Sequence, residues 1–333
     1  MGLELTLLIV VIIVALSFDF VNGMHDCANA IATVVSTRTL SPRQAVALAR
    51  TLNVVGAFIS TAVAATIGKG IVDPEQVTQG MILAALLGAI GWSLISWFLG
   101  LPTSSTHALV GGLSGAVLLW LGHDKLKLAG LEKIAVAMVV SPPAGFLLAV
   151  LVIVAAKRLA HRFRAPLSKK NAFFRVGQIL SSSYMALSHG TNDTQNSMGI
   201  ITMALVSYGV LPEFHVPFWV ILACGLAMGI GTQTGGWRII RTMGMKITDL
   251  RPVHGFSAET SAATVILSFA LLGIPVSTTQ VIAGGVMGAG TERGLSMVRW
   301  GVARRIVWAW VLTVPGAALI ATLAGFLIRC FGL

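Results

Sequence analysis

Ten apolar runs, most of them long enough to cross a bilayer as helices, follow one another along the chain with short interruptions. They lie at residues 5–34, 44–66, 79–99, 103–121, 134–156, 177–205, 216–236, 253–272, 276–290 and 305–328. A bilayer core of about 30 Å takes about 20 apolar residues as a helix. Inside lipid every backbone polar group needs a partner, which leaves only helices and closed barrels. The short alternating segments of a barrel are absent from this sequence. The expected fold class is therefore an all-α polytopic membrane protein. Composition agrees, with 56% hydrophobic and 11% charged residues among 333. The first run has no basic region before it, and its first charge is Glu4, so it reads as a retained helix rather than a cleaved signal. Cys27, Cys224 and Cys330 form no spaced pair and argue for neither disulfide nor zinc.

The net charge of +11 raises the possibility of a nucleic-acid partner, but the placement of the charge argues against it. Seventeen of the 23 Lys and Arg fall in alternate loops, seven of them between Lys157 and Arg175, Arg164 included. The loops between hold Asp73, Glu75, Asp124, Glu132 and Glu213 beside a few lysines. Basic loops face the cytoplasm. The expected organisation is a membrane repeat at 1–156, a basic cytoplasmic linker at 157–176 and a second repeat at 177–333. The expected location is the cell membrane, with both termini outside and lipid as a partner. The sequence leaves open whether copies form a homo-oligomer.

Five passes on each side of the linker make the two halves face opposite ways, and the halves match in sequence. Gly23, Asp26 and Asn29 recur 167 residues later as Gly190, Asp193 and Asn196. "LGLPTSSTHALVGGLSGA" (Leu99–Ala116) recurs 173 residues later as "LGIPVSTTQVIAGGVMGA" (Leu272–Ala289), identical at nine of 18 positions. Inverted-topology repeats with Gly/Pro-interrupted, broken or re-entrant segments mark secondary transporters, with the site near the midplane.

Two kinds of chemistry are duplicated. Pro102-Thr103-Ser104-Ser105-Thr106 and Pro275-Val276-Ser277-Thr278-Thr279 read as helix starts, with proline where its missing N–H is harmless. Hydroxyls and first-turn N–H groups then converge where the helix dipole is positive, which suits an anion without Arg or Lys. Plain capping at the membrane surface is the simpler alternative for a single motif. Asp26 with Asn29, and Asp193 with Asn196, are three residues apart and share a helix face. Carboxylates in membrane segments mark function by default, and oxygen donors of this kind suit Na⁺ or a proton. An anion site next to two aspartates requires that cations travel with the anion, which also offsets about 2.3 kcal/mol per charge per 100 mV.

The stretches "NGMHDCANAIATVVSTRTLSP", "SHGTNDTQNSMG", "GFSAETSAATVIL" and "GIPVSTTQ" resemble those of the inorganic phosphate transporter (Pit) family over nearly the whole chain. The resemblance implies a phosphate symporter with inverted repeats and no bound cofactor. It implies phosphate contacts from Ser104, Ser105, Thr106, Ser277, Thr278, Thr279, Asn29 and Asn196. It implies coupling-ion roles for Asp26, Asp193, Asn29, Asn196 and Glu259, with Asp26 and Asp193 as metal ligands only if sodium is the coupling ion. Sodium-coupled relatives usually read G-A-N-D in the first signature. Here it is Gly23-Met24-His25-Asp26, closer to bacterial proton-coupled members, some of which carry a metal–phosphate complex.

His25 beside Asp26 against Asn192 beside Asp193 predicts a site asymmetric for its driving ion, with protons favoured because imidazole titrates near neutrality. Glu259, whose counterpart is Leu86, resembles a family glutamate near the ion pathway; a half-buried helix-start acid is the alternative. Asp19 is expected to support the site or to lie at the interface. His107, whose repeat counterpart is Gln280, is expected to play a polar hydrogen-bonding role rather than a catalytic one. His123, His161, His215 and His254 are placed in loops. A sodium-coupled symporter and a sulfate permease are rival transport readings. An intramembrane aspartyl protease using Asp26 and Asp193 is the rival from another class, and a duplicated anion cradle argues against it.

Overall fold

The computed structural model describes residues 2–162 and 166–331, so Arg164 lies outside the described residues. It contains twelve α-helices and no strand among them. The first half comprises α1 (Gly2–Ser36), α2 (Pro42–Gly56), α3 (Ala62–Gly70), α4 (Gln79–Leu99), α5 (Ser105–Trp120) and α6 (Leu128–Arg162). The second comprises α7 (Leu167–Ser207), α8 (Phe218–Thr234), α9 (Trp237–Arg241), α10 (Pro252–Leu271), α11 (Thr278–Gly290) and α12 (Trp300–Cys330). A π-helical turn at Thr242–Lys246 extends α9. On both sides of the undescribed residues the basic linker is helical, as the ends of α6 and α7.

The expected single pass at 44–66 is broken into α2 and α3. The Gln195 side-chain oxygen accepts from the Val63 and Ala64 N–H groups at 2.7 and 3.0 Å. It thereby satisfies the orphan donors of the new helix start inside the protein. Its counterpart is broken too: α8 and the α9 segment meet at a bend of 64°, at Gly235 with φ +72°. By length and apolarity α1, α4, α6 and α12 can each cross a membrane, and the bent α8–α9 pair makes a fifth if it is one span rather than a re-entrant loop. The other expected passes are short, as are α5 and α11 (16 and 13 residues), or carry the polar motif, as does α7.

Packing is reciprocal between the halves. α1 packs on α8, and α7 on α2; α6 packs on α10 and α11, and α12 on α4 and α5. Each half's last helix thus clasps the other half's helical hairpin, which is the pattern expected of two related repeats. The hairpins turn at Gly100 and Gly273, both at φ +66°, where a side chain would be strained. Contact is close at Gly111, where an added Cβ would sit 2.4 Å from the Val314 carbonyl oxygen of α12, and at Gly284, 2.4 Å from that of Pro142 in α6.

Candidate functional site

The hairpin turns aim the starts of α5 and α11 at the middles of α1 and α7. Ser104 and Ser277 are the N-caps, each accepting at 3.2 Å from the N–H three residues on, His107 and Gln280. That is the role capping serines play in ordinary helices. The next residue of each motif faces the carboxylate of its own half. Ser105 donates to Asp26 Oδ2 (3.3 Å) and Thr278 to Asp193 Oδ2 (3.0 Å), equivalent contacts within each half.

Other contacts cross between halves. The Asn29 amide donates to Thr279 Oγ1 (2.8 Å), and that of Asn196 to Thr106 Oγ1 (2.9 Å). Thr279 also donates to Asp26 Oδ1 (3.2 Å) and Asn29 to Thr278 (3.2 Å). The Oδ1 atoms of Asn29 and Asn196 are buried with no hydrogen-bond partner. Two equivalent acceptors are left to receive a donor. All eight anion-site residues and both aspartates predicted from sequence are buried here.

The adjoining neighbours of the two aspartates differ, as the sequence indicates. His25 Nδ1 lies 2.7 Å from Asp26 Oδ1, and its Nε2 lies 3.1 Å from Ser96 Oγ and 3.3 Å from Thr103 Oγ1. In the second half Asn192 takes that place, donating to Asp193 Oδ1 at 2.6 Å and to the Val276 carbonyl at 2.9 Å. Yet Asp193 has an imidazole as well. His189, one turn earlier on α7, puts Nε2 3.2 Å from Asp193 Oδ2, although without hydrogen-bond alignment. Its Nδ1 meets Asn53 Oδ1 at 3.1 Å. The repeat counterpart of His189 is Asn22, so imidazole and amide exchange positions between the halves. Sequence reading missed His189. The four-residue step to Asp193 on one helix was the available signal.

Ligand atoms of Asp26, His189 and Asp193 all lie within 4.8 Å of one another. Two unit charges that close repel by about 3.5 kcal/mol at an effective dielectric near 20. Two ionised carboxylates therefore call for a positive charge between them, whether imidazolium, proton or metal cation.

Glu259 is no helix-start acid. It sits inside α10, fully buried, and accepts from Thr33, Ser181 and Gln178. Thr37 and Thr39 donate in turn to Gln178 Oε1 at 2.8 Å each. Nothing in the spacing of these residues announced the cluster. Asp19 is fully buried rather than interfacial. His107 plays a polar role, its Nδ1 meeting the amide of Gln280, its own repeat counterpart, at 3.3 Å.

His254 corrects its placement in a loop. It lies buried in the first turn of α10, accepting from the Arg251 N–H at 3.0 Å and reaching Glu292 Oε2 at 3.4 Å. Burial alone would push Glu292 up. The bonds and charges of Lys157 and His254 outweigh it and hold the carboxyl below its ordinary range.

A helical bundle that buries two matching half-sites of carboxylates and hydroxylated helix starts has the architecture of a secondary transporter. Comparison with known proteins narrows the class. The profile of the phosphate transporter family matches residues 22–321. A probable low-affinity inorganic phosphate transporter of Rhizobium meliloti is 49% identical over 326 residues, covering 97% of each chain. One of Bacillus subtilis is 44% identical over 332 residues, covering 99% of each. The solved structure of a sodium-dependent phosphate transporter superimposes with TM-score 0.86 at 30% identity, over 98% of this chain and 99% of that one. The chain belongs to the phosphate transporter family.

Proposed function

We propose that the protein imports inorganic phosphate across the cell membrane by symport with protons. The observation that carries the reading is the convergence of two equivalent half-sites, hydroxyls and free amide oxygens included, on a pair of buried aspartates. On anion binding Ser105, Thr106, Thr278 and Thr279 re-aim to it the hydroxyls that otherwise meet the aspartates and asparagines. Ser104 and Ser277 fix the helix starts whose first N–H groups complete the cradle. Monohydrogen phosphate carries an O–H donor that sulfate lacks. The free Oδ1 atoms of Asn29 and Asn196 and the carboxylates are acceptors for it, and a site built to pair a hydroxyl discriminates strongly against an analogue without one.

Protons are the preferred driving ion because each aspartate has its own imidazole, His25 or His189. Sodium is the second reading. It is supported by the three-ligand cluster around Asp26, His189 and Asp193 and by the likeness to a phosphate transporter that is sodium-dependent. Asp26→Asn and Asp193→Asn should each lower uphill phosphate uptake in proteoliposomes about 100-fold or more, with the helix bundle intact. Gradient-driven uptake that survives either substitution would exclude that aspartate from coupling.

A further inference from the structure

Asp19, Asn22, Asp26, Asn29 and Thr33 follow one another on α1 at steps of three and four residues, so they form a single polar stripe. At 1.5 Å per residue the stripe is about 21 Å long. Its middle is the site described above, and Thr33 ends it at Glu259. The other end, Asp19 and Asn22, has no part in that site.

Both residues are 0% exposed. Neither carboxylate oxygen of Asp19 and neither polar atom of the Asn22 amide has a hydrogen-bond partner. The Ser197 hydroxyl and Cys224 thiol lie beside Asp19, and the charge facing it is that of Asp193. Ser197 is committed elsewhere, donating to the Ala15 carbonyl at 3.2 Å, and a thiol is a weak donor. An ionised carboxylate buried without a partner is costly, and a second negative charge nearby adds to the cost. This carboxyl is therefore kept neutral by a proton or paired with a cation. Its repeat counterpart, by the 167-residue step, is Ala186, so the feature belongs to one side of the site alone.

We infer that Asp19, with Asn22, is a second cation-accepting station in series with the Asp26–Asp193 site, holding a proton or small hard cation that passes along the α1 stripe. The inference rests on the symport reading. Asn22 supplies an amide oxygen one turn nearer the centre, and the axial step from Asp19 to Asp26 is about 10.5 Å.

The test is Asp19→Asn, which keeps the side-chain shape and removes the exchangeable charge. Two readouts are compared in proteoliposomes: phosphate–phosphate exchange at equal cation concentrations, and uptake driven by a proton or a sodium gradient. Exchange should stay within about twofold, while driven uptake falls about tenfold or more. Asp19→Glu should restore most of the driven uptake. The gradient whose effect is lost identifies the cation. Driven uptake by Asp19→Asn equal to that of the unmodified protein would overturn the inference, as would equal loss of exchange and driven uptake in a folded variant.

If Asp19→Asn does not fold, Asn22→Ala decides instead: driven uptake should fall about fivefold or more with exchange kept within about twofold, and driven uptake equal to that of the unmodified protein overturns the second station. Unmodified protein that takes up no phosphate under either gradient defeats the symport reading itself, a result distinct from these.

Discussion

Thr106 and Thr279 occupy equivalent places, and each receives the amide of an asparagine from the opposite half. If one anion lies between them, Thr106→Ala and Thr279→Ala should weaken phosphate binding alike. A lost hydrogen bond to a charged group costs about 1.5–3 kcal/mol, or about 10- to 150-fold in dissociation constant. Calorimetric titration of the purified variants measures this, and a threonine whose loss leaves affinity unchanged is only part of a helix start. The aspartates, asparagines and hydroxylated motifs were legible in the sequence because they are polar residues repeated inside apolar runs. His189 was less legible, since its partner Asp193 is found only by following the helix back one turn, while the repeat offers Asn22 as its counterpart. The Glu259 cluster was not legible at all. Thr33, Ser181 and Gln178 come from distant parts of the chain, and only the packing of α1, α7 and α10 brings them together.

Between elements the critical contacts are backbone to backbone. Gly111 on α5 lies against α12 and Gly284 on α11 against α6, each with a carbonyl oxygen 2.4 Å from where a Cβ would be. Alanine at either position forces a helix apart, and overpacking of this kind costs about 1–3 kcal/mol. Thermal melting in detergent should fall for Gly111→Ala and Gly284→Ala and stay unchanged for Gly301→Ala, where nothing lies within 4 Å. Equal melting of all three would mean that the clasp is loosely packed. Apolar length located most of the helices but overcounted continuous passes. The 44–66 run looked like one span because hydropathy does not register the Gln195 side chain, which ends up capping α3 from a different part of the chain.

On the scale of the whole molecule, the basic loops predict orientation, and the reciprocal packing of α6 on α11 and α12 on α5 fits halves that face opposite ways. Lys169→Cys, at the start of α7, combined with Cys330→Ser because the native Cys330 is exposed, should resist impermeant maleimide added outside intact cells and react once the membrane is opened. Labelling from outside would reverse the orientation drawn from the charges. In the proposed function, one site built from both halves moves phosphate only together with a cation, and this cation is the proton. Radiolabelled phosphate uptake into proteoliposomes, with proton and sodium gradients imposed separately, tests it most directly. Uptake is expected in sodium-free medium and should collapse when the pH gradient is dissipated. Uptake that begins only when sodium is added, and then ignores the pH gradient, would contradict it and make Asp26 and Asp193 sodium ligands.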